Sequence, residues 1–222
     1  SYYLTETERR LLEQVTSRFE RTIVVVDSGN VMDLSWAEGP GVSALLLAWP
    51  GGMEGARAVA EVLRGAVEPG GRLTDTIARR YEDYPSAANF GDPDANDYAE
   101  DVFVGYRYFD SEGVSPLFPF GFGLGYTSFE LGEPTAAIDG SRVSVRVRVT
   151  NTGRRAGKEV VQVYVSVPAG RLDQPYQALA GFCKTDALAP GVAQEVVVSF
   201  ALADLASYDE ARAATVLEAG DY

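Results

Sequence analysis

The chain has 222 residues, 46% of them hydrophobic and 23% charged, with a formal net charge of −13 and no histidine. That length holds one large domain or two ordinary ones, with enough apolar material for packed cores. The charge excludes the basic footprint of a nucleic-acid binder and disfavours anionic membranes, no apolar run approaches the ~18 residues of a membrane span, and without histidine the usual Ser–His or Cys–His nucleophile pairs and zinc ligand sets are missing.

No cofactor and no metal site are expected. The single cysteine, Cys183, has no partner for an internal disulfide and is expected to pack as a small apolar residue. No N-x-[ST] acceptor and no signal sequence is visible, and a cytoplasmic location is the expectation.

In chain order, Thr5 followed by Glu8 reads as a capping box opening a helix, with Leu11, Leu12, Val15 and Phe19 on one face. Thr22 to Val26 and Val42 to Trp49 are short apolar runs of the kind buried on both faces of a parallel sheet. Pro50-Gly51-Gly52 breaks the second run, and Met53 to Leu63 resumes helical spacing. These elements predict an α/β layer. The strands are too few for a complete doubly wound domain, and its first half is expected upstream of Ser1. Residues 66–135 are dense in Gly, Pro, Tyr and Asp: Tyr81 to Asn96 reads as a long loop and Tyr98 to Tyr108 as a candidate strand. From Ser141, valines alternate with polar residues at 143, 145, 147 and 149 and at 161, 163, 165 and 167, and residues 194–202 form another strand. This is the pattern of an antiparallel β-sandwich. Val143, Val145, Val147, Val161, Val163 and Val165 are expected inside, and another strand begins near Tyr222.

The chemistry-bearing motifs have plain structural readings. The adjacent acids Glu82/Asp83, Glu100/Asp101 and Asp209/Glu210 do not form a converging pair, because neighbours on a strand point to opposite faces. They are expected in solvated, capping or ion-paired roles. Gly121, Gly123 and Gly125 are spaced GxGxG without a following helix, which favours turns over a dinucleotide loop. The Pro50–Gly55 loop precedes a helix; capping is expected there, since Glu54 would compete with a bound anion. Tyr98, Phe103, Tyr106, Tyr108 and Phe109 around Arg107 read as a buried aromatic cluster with a hydrogen-bonded arginine.

The segments TIVVVDSGNVMDLSW, LLLAWPGGMEGARAVAEVLRGAVEPGGRLTDT, YAEDVFVGYRYFD, PFGFGLGYTSF and VTNTGRRAGKEVVQVYV, in this order, resemble family 3 glycoside hydrolases over essentially the whole chain. The resemblance is to the second half of the α/β-sandwich domain (residues 1–135) followed by a fibronectin type III-like β-sandwich (136–222), truncated at its last strand. It implies a parent protein that is a retaining β-glycosidase, foremost a β-glucosidase releasing terminal β-D-glucosyl residues. The implied partners are a (β/α)8 barrel of the same protein and a β-glucoside or oligosaccharide; homo-oligomerisation is left open. In such enzymes a barrel aspartate attacks the anomeric carbon and a glutamate is the acid/base. That glutamate lies just before the segment matching Tyr2-Tyr3-Leu4-Thr5, so no catalytic residue is expected in this chain. Departures from the family pattern are Phe122 in place of a common histidine, Gly125 in place of a common serine, and LTDT at 73–76 in place of a commoner proline. DYPSAANFG and the wording around Tyr98 to Phe109 resemble a subgroup of permuted order, in which the barrel would follow Tyr222.

Tyr84, Asn89 and Phe90 in the long loop are the candidate substrate-binding residues. Aromatic rings stack on pyranose faces and an amide takes hydroxyls. A loop packed against a neighbouring domain is the other reading. A carbohydrate-binding module and a purely structural docking domain, both without catalysis, are the alternatives for the whole chain.

Overall fold

Helix α1 (Glu6–Thr16) begins at the expected capping box. The Thr5 amide and hydroxyl donate to the Glu8 carboxylate (2.8 and 2.7 Å), and the Glu8 amide donates to the Thr5 hydroxyl (3.3 Å). These bonds hold the Glu8 carboxyl below the ordinary range. The computed structural model describes residues 2–168 and 170–222. Strands β1 (Thr22–Val26) and β2 (Val42–Leu47) pair in parallel, Val24 against Leu45 and Val26 against Leu47. Their connection carries a 3-10 turn, Ser35–Glu38, fixed by the Trp36 indole N–H donating to the Asp33 carbonyl (2.8 Å). Helix α2 (Gly55–Leu63) follows. Glu54 occupies its cap position without a side-chain capping bond; the carboxylate faces Arg57 instead, at 3.8 Å. The expected cap is therefore not made by that side chain.

Segments 73–77 and 117–122 run side by side, Ile77 bridging Phe118 and the Leu73 amide donating to the Phe122 carbonyl (2.8 Å). Leu34, Ile77 and Leu117 form the small buried core here, with Val26, Leu45 and Leu47 packed on it.

The candidate strand from Tyr98 to Tyr108 is not formed. Its end is instead helix α3 (Tyr106–Glu112), closed by Gly113 in the left-handed conformation (φ 65°) that terminates helices. Tyr106 and Phe109 lie three apart on one side of a turn, so both rings turn inward. Phe109 is buried, and Tyr106 stacks on Phe120 at 4.8 Å. The expected aromatic cluster is thus smaller than predicted: Tyr98 is 83% exposed and lies outside it.

In the β-sandwich, β5 (Arg142–Asn151) is central. It pairs antiparallel with β8 (Ala193–Ala201) along one edge, and with β4 (Thr135–Asp139) and β3 (Phe129–Leu131) in succession along the other. The facing sheet is β6 (Val160–Val165) with β7 (Ala178–Lys184), and β9 (Ser207–Asp209) with β10 (Ala214–Val216) form a hairpin. Val147, Val149, Val161, Leu188, Val196 and Val198 make the core, with Cys183 packed against it as expected. The valine face is the predicted one, but Val143, Val145, Val163 and Val165 are only half-buried. The narrower β6–β7 sheet leaves the β4 side of that face open. Ile138, opposite Val143, is accordingly 67% exposed.

Candidate functional site

The loop expected to meet substrate starts with a 3-10 turn, Tyr81–Asp83. Arg80 and Asp83 pair at its entrance (2.8 Å), and the Arg80 amide donates to the same carboxylate (3.1 Å). Tyr84 comes next and points into the protein. Its hydroxyl accepts from the Ala78 amide (3.0 Å) and donates to the Thr76 carbonyl (3.1 Å). Its ring meets Phe109 edge-on at 5.9 Å, and burial pushes its pKa up. Asn89 and Phe90 lie on the outer turn. The Asn89 amide donates to the Asp97 carbonyl (2.7 Å), tying the two limbs of the loop together, and Phe90 is 74% exposed. Asp92 accepts from the amides of Asp94 and Ala95 (2.9 and 3.2 Å), which hold its carboxyl below the ordinary range. The loop therefore separates the three candidates: Phe90 faces outward, the half-buried Asn89 turns back across the loop onto Asp97, and Tyr84 is built into the protein at the loop's start.

The acids follow their expected structural roles. Asp83 pairs with Arg80, and Asp209, 1% exposed, pairs with Arg171 and Arg212. Asp101 sits in a loop with φ 45° rather than on a strand. Among the described residues, no three Asp, Glu or Cys side chains gather as a metal site would require.

Of the three glycines at 121, 123 and 125, Gly121 lies in the expected turn (φ 77°), closed by the Phe122 amide donating to the Pro119 carbonyl (3.1 Å), while residues 122–125 run on without a turn. A Cβ on Gly125 would collide with the Glu68 carboxylate, which accepts from the Tyr126 amide (3.3 Å). The glycine that replaces the common serine is thus matched to Glu68.

One feature was not anticipated. A groove of about 480 Å3 runs beside β2, lined by Leu46, Trp49, Arg72, Leu73, Phe122 and Leu124. Its volume lies in the range of ligand pockets. Trp49 sits at the carboxyl end of β2, where open parallel sheets place their ligand crevices, and adopts φ 52°, an uncommon backbone state for a non-glycine residue. The available signal was a tryptophan between an apolar strand and Pro-Gly-Gly; the rest of the lining comes from remote segments.

Comparison with known proteins agrees along the chain. The glycosyl hydrolase family 3 C-terminal domain matches residues 1–126, and a fibronectin type III-like domain matches residues 159–222. Beta-glucosidase A of Butyrivibrio fibrisolvens is 42% identical over 247 residues, covering 100% of this chain and 30% of its own. A beta-glucosidase of Ruminococcus albus is 41% identical over 228 residues, covering 100% of this chain and 24% of its own. The crystal structure of a beta-glucosidase from Paenibacillus barengoltzii superposes with a TM-score of 0.93 at 44% identity, over 100% of this chain and 26% of that one. The chain spans less than a third of the length of these relatives. With the C-terminal-domain match extending over more than half of its residues, the chain belongs to glycosyl hydrolase family 3.

Proposed function

We propose that this chain is the non-barrel part of a retaining β-glucosidase, acting on terminal β-D-glucosyl residues together with a (β/α)8 barrel of the same protein. The observation that carries this reading is the end-to-end similarity to proteins named as beta-glucosidases, at 41% to 44% identity. In this reading the chain supplies no catalytic carboxylate: Asp83 and Asp209 are occupied in ion pairs and Asp92 in a turn, whereas retaining hydrolysis needs two carboxyl groups ~5–5.5 Å apart across the bond. The loop at 81–96 contributes to the outer sugar. Phe90 offers the exposed ring, Asn89 holds the loop closed beneath it, and Tyr84 anchors the base. We place the boundary between the α/β unit and the sandwich ahead of β3 instead of at the expected 135, because Phe129–Leu131 already pair with β5.

The purified 222-residue chain should not hydrolyse aryl β-glucosides, while the full-length parent should. Turnover by the chain alone that disappears on mutating one of its own acids would overturn the reading. In the full-length enzyme, Phe90→Ala should raise KM for a disaccharide with kcat nearly unchanged, the signature of a contact made equally in ground and transition states. An equal effect on an aryl glycoside, with a lower melting temperature, would assign Phe90 to packing.

A further inference from the structure

Residues 65–72 form a strap between helix α2 and the core segment at 73–77, and the strap's end supplies one wall of the groove through Arg72. Within it, residues 68–72 make no backbone–backbone hydrogen bonds among the described residues. Such a segment has no ladder to order it, and its position has to come from side chains.

Glu68 accepts from the Tyr126 amide, and three further side chains reach the strap from the β-sandwich. Arg155, in the turn after β5, donates from its guanidinium to the Gly65 carbonyl. Lys184, at the end of β7, donates to the Gly70 carbonyl at 2.6 Å. Glu159, just ahead of β6, pairs with Arg72 at 2.5 Å, with the two side chains only 18% and 14% exposed. The Glu159 carboxylate also accepts from the Val160 amide (2.7 Å), and the Glu159 amide donates to the Thr185 hydroxyl (2.9 Å), so the sandwich holds this residue from two sides. The Arg155 guanidinium lies over the Tyr126 ring at 5.5 Å, and the Tyr126 hydroxyl donates to the Val62 carbonyl at 2.9 Å. Each contact on the strap is charge-assisted, the stronger class of hydrogen bond.

We propose that the β-sandwich is a positioning element for the groove: Arg155, Glu159 and Lys184 clamp the strap at its start, end and middle and so set where the Arg72 wall stands relative to β2. Without the clamp the wall opens locally while the two cores stay folded. The inference rests on the contacts within this chain and is independent of the parent's catalytic activity.

The test is limited trypsinolysis of the 222-residue chain, with cleavage after Arg72 followed by mass spectrometry. Glu159→Gln leaves the scissile residue in place and removes its ion pair. Lys184→Met, at an exposed position, is a milder variant that keeps the experiment informative should the first not fold. Val149→Ala in the sandwich core is the control for general loss of stability. Each clamp variant should accelerate cleavage after Arg72 by roughly tenfold over the control at matched global stability, because only local opening has become easier. Cleavage after Arg18, beyond α1, should not change. Acceleration no greater than that of Val149→Ala, or an equal rise at both sites, would show that the sandwich contributes bulk stability alone and would overturn the proposal.

Discussion

The carboxylate of Asp209 is 1% exposed, and the guanidinium of Arg171, itself 52% exposed, closes over it from another loop. Arg212 approaches the same oxygen at 3.4 Å, and its backbone amide donates to the other (3.3 Å). A buried acid is thus held between two cations that keep their own access to water. Removing one partner of a fully buried pair costs ~3–5 kcal/mol, but exposed arginines can rehydrate. Asp209→Asn should therefore destabilise the chain by about 1–3 kcal/mol in urea denaturation, and Arg212→Ala by less than about 1 kcal/mol. Equal costs would mean that Arg212 is the principal partner.

The burial gradient along β5 gives a second expectation. Val149 is 0% exposed, whereas Val143 on the same face is half-buried because β6 and β7 do not reach across to it. Val149→Ala removes two packed methyl groups and should cost about 1–3 kcal/mol. Val143→Ala should cost under about 1 kcal/mol. A denaturation midpoint for Val143→Ala as low as that of Val149→Ala would show that the open side of the sandwich is covered in solution.

These contrasts mark what could be read from the chain alone. The capping box at Thr5, the parallel runs at β1 and β2 and the valine alternation in β5 are local signals, each decided by residues a few positions apart. Helix α3 was missed because Tyr106, Arg107 and Tyr108 also alternate ring and charge, which imitates a strand; the bracketing glycines at 105 and 113 were the better guide. At the candidate site, exposure of Phe90 agrees with its position in a polar loop, but the inward turn of Tyr84 depends on Thr76 and Ala78, whose backbone groups were invisible as partners. The groove was illegible for the same reason: Leu46, Arg72 and Phe122 meet only once the fold exists.

Glu68 and Gly125 should be coupled. Serine at 125 would force the Glu68 carboxylate aside, and with it the bond from the Tyr126 amide. Because a flexible side-chain end gives way more easily than backbone, Gly125→Ser should cost only about 1 kcal/mol, the value of that hydrogen bond. In a Glu68→Ala background the same substitution should be close to neutral. A penalty that persists there would place the strain in the backbone around Gly125 instead.

Tyr164 links alkaline stability to the contact between α3 and the sandwich. Its hydroxyl donates to Gln162 at 2.6 Å, and its ring meets Tyr106 edge-on at 5.7 Å. Burial first, then the neighbouring Tyr106 and Asp110, push its pKa from 10.0 up to about 12. A raised pKa means that the folded state holds the proton more tightly than the unfolded chain. The stabilisation is therefore complete below the unfolded value of 10.0 and is lost as pH rises through that value toward about 12. Tyr164→Phe keeps the ring and cannot ionise, so this part of the alkaline decline should vanish in the variant. It should also lose the Gln162 bond, making it the less stable protein near pH ~8 while the gap closes as pH climbs. Urea midpoints for both proteins across that range, with tyrosinate absorbance to follow ionisation, would measure the effect. Parallel curves that keep a constant separation would show that Tyr164 titrates alike in the folded and unfolded chains, and that its hydroxyl is open to water rather than held at the α3 contact.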